Sequence, residues 1–175
     1  MTKLMNALGF QAGWWACVGG VRHNLEAEAI IFCLILIGIH LRVSKFPLQD
    51  IKLGIFALLI GVLVDSSLQH FSIIRFYGWA LGPLSPFWDW TLWVMFALTL
   101  NASLDFLKNQ SHITTPILGL VFGPLTYFAG AQLGAAALND SPVKIFSLAA
   151  VWMIALPLLV MAAEQVSHTS KDNTC

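Results

Sequence analysis

The sequence predicts an all-α membrane protein, a bundle of six transmembrane helices, on three observations. Of its 175 residues, 58% are hydrophobic and 10% charged, whereas a soluble domain carries about 25% charged residues. Six mostly apolar runs, each near the roughly 20 residues that cross a bilayer, occupy residues 4–21, 25–41, 51–70, 86–108, 116–137 and 143–163. Several runs align small residues on one face at about 100° per residue. That pattern lets helices approach closely in lipid, where water does not drive their association. Residues 1–163 therefore read as a single transmembrane domain, and residues 164–175 as a polar cytoplasmic tail expected to be disordered.

The first helix, residues 4–21, places Asn6, Gly9, Gly13, Cys17 and Gly20 on one side. Trp14 and Trp15 interrupt its apolar run and no small-x-small site follows, which argues against a signal peptide. Asn24 is positioned to cap the second helix, residues 25–41. Glu26 and Glu28 then fall in its first turn, where the helix dipole favours negative charge. Glu26 shares a face with Cys33 and His40 and is the functional candidate of the two. Cys17 and Cys33 read as small packing residues without disulfide or metal spacing.

The third helix, residues 51–70, lines up Gly54, Leu58, Gly61, Asp65 and Gln69. Counting from Ile51 at 1.5 Å per residue puts Asp65 roughly 21 Å into a hydrocarbon layer about 30 Å thick. An acid at that depth costs about 2.5–3.5 kcal/mol and must face the bundle with a partner. Asp65 is thus the leading single-residue candidate. Residues 71–85 are too polar and interrupted to span and suggest an interfacial loop or half-helix anchored by aromatics.

The fourth helix, residues 86–108, begins with Trp88, Trp90 and Trp93. Asp89 near its start is accounted for by the helix dipole. Asn101 and Asp105, a turn apart at its other end, are positioned to grip Asn6 or His40. The fifth helix, residues 116–137, carries the clearest small-residue stripe, Gly119, Gly123, Gly130 and Gly134, so it is expected to be central and tightly packed. Tyr127 and Gln132 are candidate partners for Asp65. The sixth, residues 143–163, reads as a lipid-facing wall. Lys3, Arg42, Lys45, Lys52, Lys108 and Lys171 would lie on the side of the termini, against Arg22, Arg75 and Lys144 opposite. The positive-inside rule then makes both termini cytoplasmic.

The segments QAGWWACVGG, GVLVDSSL, PFWDWTLWVMFALTLNASLDFL and GPLTYFAGAQLGA resemble an uncharacterised family of small polytopic bacterial inner-membrane proteins, a domain of unknown function. The likeness covers nearly the whole chain, and the LW-FALTLN and GPLTYFAGAQLGA segments are its most specific parts. The resemblance implies a link to membrane-lipid modification, since members look like genomic neighbours of cyclopropane-fatty-acid-synthase-like methyltransferases and flavin-dependent oxidoreductases. Lipid-modifying enzymes would then be partners, besides membrane lipid itself.

No GxSxG, HExxH, P-loop or dinucleotide fingerprint is present, the histidines occur singly, and no metal or cofactor is expected. The scattered Lys and Arg give no nucleic-acid footprint. Three functional readings remain: a non-catalytic lipid-binding or partner component, which is preferred; a small proton-coupled transporter using Asp65; and an intramembrane lipid-modifying enzyme.

Overall fold

A computed structural model describes the backbone of residues 2–172 and the side chains of residues 2–167. Its architecture is helical: α1 Lys3–His23, α2 Glu26–Val43, α3 Pro47–His70, α4 Phe87–Leu100, α5 Thr114–Gln132 and α6 Pro142–Asp172, with a short 3-10 helix at Asp105–Asn109. Six helices are therefore present near the six apolar runs. Among the described residues, two of them, Pro47–His70 and Pro142–Ser167, are long and apolar enough to cross a membrane by length and composition. At 21, 18 and 19 residues, α1, α2 and α5 fall short in composition rather than length.

The centre of the molecule is α4, not α5. It packs against α1, α2, α3 and α6, and joins the two main apolar clusters. One cluster is built with α3 and α6 around Leu53, Trp93, Leu100 and Leu159; the other with α1 and α2 around Val18, Cys33, Trp88 and Met95. In the second, the thiols of Cys17 and Cys33 lie 3.5 Å apart as free cysteines. α5 packs chiefly on α6, and its stripe is only partly a packing surface. A Cβ at Gly119 or Gly123 would come within 2.2 Å of Trp152, whereas one at Gly130 would meet nothing within 4 Å. α6 is correspondingly no plain wall, since Leu148, Leu156, Leu159 and Ala163 are buried. Nor does it stop at residue 163: it continues to Asp172 through most of the segment expected to be a disordered tail. Residues 173–175 of that segment lie outside the described residues.

Several boundaries move for local reasons. Asn24 adopts a left-handed conformation (φ 57°) and closes the end of α1, with its N–H bonded to the carbonyls of Gly20 and Val21, instead of capping α2. Asparagine tolerates that conformation better than most residues. α4 ends at Leu100, well before Lys108. Thr99 turns its hydroxyl onto the Phe96 carbonyl, and the backbone folds back through bonds from Ala102 and Leu104 to the Thr99 carbonyl. α5 likewise ends at Gln132, where Gly134 supplies φ +87°. Beyond it, β2 (Ala136–Leu138) pairs antiparallel with β1 (Ile74–Phe76), Ile74 opposite Leu138. Residues 71–85 thus contain a strand rather than a half-helix.

At the end of the bundle near the N-terminus, Asn101 and Lys108 join a buried polar chain. Asn101 Nδ2 donates to Asp50 Oδ1 at 2.8 Å, and Lys108 Nζ donates to Asn101, Asp105 and Ser167. Asp50 Oδ2 accepts from His40 Nε2 at 3.1 Å, and His40 Nδ1 meets the Asn6 amide at 3.3 Å. Ser103 then donates to Asn6 Oδ1. The chain ties α1, α2, α3 and the segment after α4 into one unit. Asn101→Ala removes a donor from Asp50 and an acceptor from Lys108, and should cost about 1–2 kcal/mol. Thermal unfolding in detergent equal to wild type would show that the chain carries no stability.

Candidate ligand-binding cleft

Asp65 is completely buried on α3, and two glycines make room for the groups that hold it. Gly61, one turn earlier on the same face, lets the Trp93 ring press onto α3: a Cβ there would lie 2.2 Å from the indole. Trp93 Nε1 consequently donates to Asp65 Oδ2 at 2.6 Å. On α5, Gly123 receives Trp152, which stacks on Trp93 with centroids 5.2 Å apart and planes 15° from parallel. One turn after Gly123, Tyr127 donates its hydroxyl to Asp65 Oδ1 at 2.5 Å. Both carboxylate oxygens are thereby engaged, and α3, α4, α5 and α6 converge on one acid.

A second acid lies beside it. Asp89 is one turn before Trp93 on α4 and comes within side-chain hydrogen-bonding reach of Asp65 and Ser85. It is 6% exposed, and its Oδ2 is buried with no hydrogen-bond partner. Trp152 Nε1 is likewise buried, within side-chain hydrogen-bonding reach of the Tyr127 hydroxyl. Orphaned buried polar atoms are rare and call for an explanation. Among the described residues no lysine, arginine or histidine forms an ion pair with either acid.

Asp89 and Trp152 both belong to the lining of a cleft of about 640 Å³, within the ~300–1,000 Å³ of small-molecule sites. α1 supplies one side through Phe10, Trp14 and Val18, at helical spacing; α5 supplies the other through Gly123, Tyr127 and Gly130. The floor is α4. Exposed Phe106, Phe122 and Leu125 form part of its rim. It extends from Asp89 in the first turn of α4 to Leu104 and Leu107 beyond its last. The twelve helical residues from Asp89 to Leu100 at 1.5 Å each make that about 18 Å. Apart from Asp89, Tyr127, Thr126, Gln11 and the indoles, the lining is hydrocarbon or small.

The residues singled out from the sequence divide into separate places. Asp65 and Tyr127 meet. Glu26 does not join them: its Oε2 accepts from the Trp79 backbone N–H at 2.7 Å, and Gly78 is so close that a Cβ there would lie 2.6 Å from the same oxygen. Gln69 pins the same loop, accepting from the Phe76 N–H and donating to the Pro83 carbonyl. Gln132 is exposed at the end of α5 and makes no bond to Asp65. Asp65 also sits closer to one end than counted from Ile51. α3 begins at Pro47, which puts Asp65 about 27 Å along the helix and about 8 Å from His70, beneath the loop that Glu26 and Gln69 hold. Asp89, Trp93 and Trp152 were not among the sequence candidates. The available sign was the spacing of Asp89 to Trp93, which puts an acid and an indole on one helical face.

The family model that matches residues 3–158 is described as Protein of unknown function (DUF2878). No curated protein and no solved structure matches the chain.

Proposed function

The chain belongs to this family of proteins of unknown function, a membership that assigns no activity, and we propose from the cleft that it is a multi-pass membrane protein binding a single-chain membrane amphiphile. The observation that carries this reading is the apolar cleft itself, rimmed by exposed Phe122 and Leu125, with Asp89 as the one acid in its lining. Its length of about 18 Å exceeds the ~15 Å of one leaflet's hydrocarbon, which suits a chain lying along the bundle with its polar end toward Asp89.

The outward faces of the helices support embedding. Leu8 on α1, Leu34 and Ile35 on α2, Leu59 and Leu63 on α3, Phe122 and Phe128 on α5, and Ile154 and Met161 on α6 are all exposed. Exposed apolar surface of that extent marks contact with lipid or a partner. The 14-residue α4 is too short to span alone, but it is enclosed by its neighbours, and irregular backbone at depth is tolerated where protein buries it. We take all six helices to cross an inner membrane with both termini cytoplasmic, on the distribution of Lys and Arg.

Binding is favoured over proton-coupled transport because Asp65 is saturated by Trp93 and Tyr127 and does not line the cleft. Asp89, not Asp65, is the acid in the cleft lining. The test uses the tryptophans of the cleft. In a background with the exposed indoles Trp15 and Trp79 replaced by phenylalanine, a brominated long-chain alcohol should quench the remaining fluorescence on binding. Gly130→Leu places a side chain where no atom lies within 4 Å and should weaken that quenching at least about tenfold, or 1.4 kcal/mol, with the thermal midpoint retained. Equal quenching in both proteins would remove the cleft as the binding site.

A further inference from the structure

The geometry points to a metal site of three sulfur atoms in the second apolar cluster, one that takes monovalent copper. Cys17 on α1 and Cys33 on α2 are sixteen residues apart, a separation without metal spacing, yet their thiols face each other at 3.5 Å with no exposed surface. Met95 on α4 brings a thioether to the same place. Gly13, one turn before Cys17, admits it: the point that a Cβ there would occupy lies 2.7 Å from Met95 Sδ and 3.0 Å from Cys33 Sγ. Three sulfur atoms from three helices therefore converge, and the Cys33 thiol also reaches the Gly13 carbonyl at 3.6 Å.

Soft thiolate and thioether donors select monovalent copper, and charge balances for that ion. The surrounding side chains, among them Val18, Val21, Ala29 and Trp88, are apolar, and an unbalanced charge among such groups is costly. One thiol gives up its proton to solvent as its sulfur bonds to the ion. The thiolate so formed neutralises the single positive charge, while the second thiol and the thioether bind as neutral donors. Zinc favours four ligands, and among the described residues no group of three His, Cys, Asp or Glu gathers to supply them. Two metal–sulfur bonds of about 2.3 Å at a trigonal angle hold their sulfurs about 4.0 Å apart, so the thiol pair opens by about half an ångström to take an ion. A disulfide would instead require the pair to close to about 2.05 Å.

The experiment is an anaerobic titration of the reduced protein in detergent with Cu(I), bicinchoninate serving as competing chelator. The chain carries Cys175→Ser, so that the pair are its only cysteines. The expected result is one Cu(I) per chain with three sulfur neighbours by X-ray absorption. Cys33→Ser should weaken binding at least about 100-fold, and Met95→Leu, which conserves core volume, about tenfold, with the sulfur neighbours reduced to two. Bound Cu(I) should also raise the thermal midpoint of the chain with both thiols and not that of Cys33→Ser. The spectrum of the chain with both thiols decides the matter even if a variant fails to fold: nitrogen or oxygen neighbours in place of sulfur overturn the site. Failure of that chain to take Cu(I) from the chelator, equal affinity in Cys33→Ser, or equal retention of zinc overturns it as well. Unchanged affinity and coordination in Met95→Leu overturn the three-sulfur assignment.

Discussion

Asp65→Ala is expected to destabilise the protein by about 2–6 kcal/mol, because it strands two buried donors that each cost about 1–3 kcal/mol when unsatisfied. Those donors are the Trp93 indole N–H and the Tyr127 hydroxyl. They come from α4 and α5, so their loss loosens α5 and α6 from the centre as well as removing two bonds. Asp65→Asn should cost much less. It keeps one oxygen for Trp93, and the Tyr127 hydroxyl can rotate to accept from the new amide. The pair therefore separates a lock from a titrating group. Thermal unfolding in detergent checks it: an alanine variant within about 0.5 kcal/mol of wild type, the range of neutral substitutions, would show that Asp65 holds nothing together.

The glycines of α5 should respond to alanine with opposite signs. At Gly119 the added methyl would lie 2.2 Å from the Trp152 backbone carbonyl oxygen. No rotamer change relieves a clash with backbone, so α5 and α6 must separate, at a cost of about 2–3 kcal/mol. At Gly130 the methyl meets nothing within 4 Å, and alanine gains up to about 1 kcal/mol through its helix propensity. Paired unfolding curves of the two variants measure the difference. Equal destabilisation would mean that the stripe packs along its whole length and that no cleft begins at Gly130.

Much of this arrangement is legible in the chain, and the parts that are not have physical reasons. Helix positions follow from long apolar runs, and the meeting of Asp65 with Tyr127 agrees with their similar depth. The early stop of α4 is hidden because LNASLDFLK keeps an apolar period through Leu100, Leu104 and Leu107. What ends the helix is the side chain of Thr99 bonding to backbone and the pull of Asn101 and Ser103 into the Asp50 chain. The ribbon of β1 and β2 has three residues per strand, too few to display a period of two. Asp89 is missed for a different reason: the helix dipole accounts for an acid in a first turn, and only the fold brings Asp65 alongside it. The stripe on α5 signals close approach of something to Gly119, Gly123 and Gly130, but a neighbouring helix and an open cleft leave the same pattern of small residues.

The most direct test of the central claim is native mass spectrometry of the protein purified from its own membrane in mild detergent, beside a Gly130→Trp variant whose indole would fill the cleft. The cleft-binding account predicts one retained amphiphile per wild-type chain and none on the variant, with both proteins folded. No retained amphiphile on the wild type, or the same mass shift on both proteins, would contradict it.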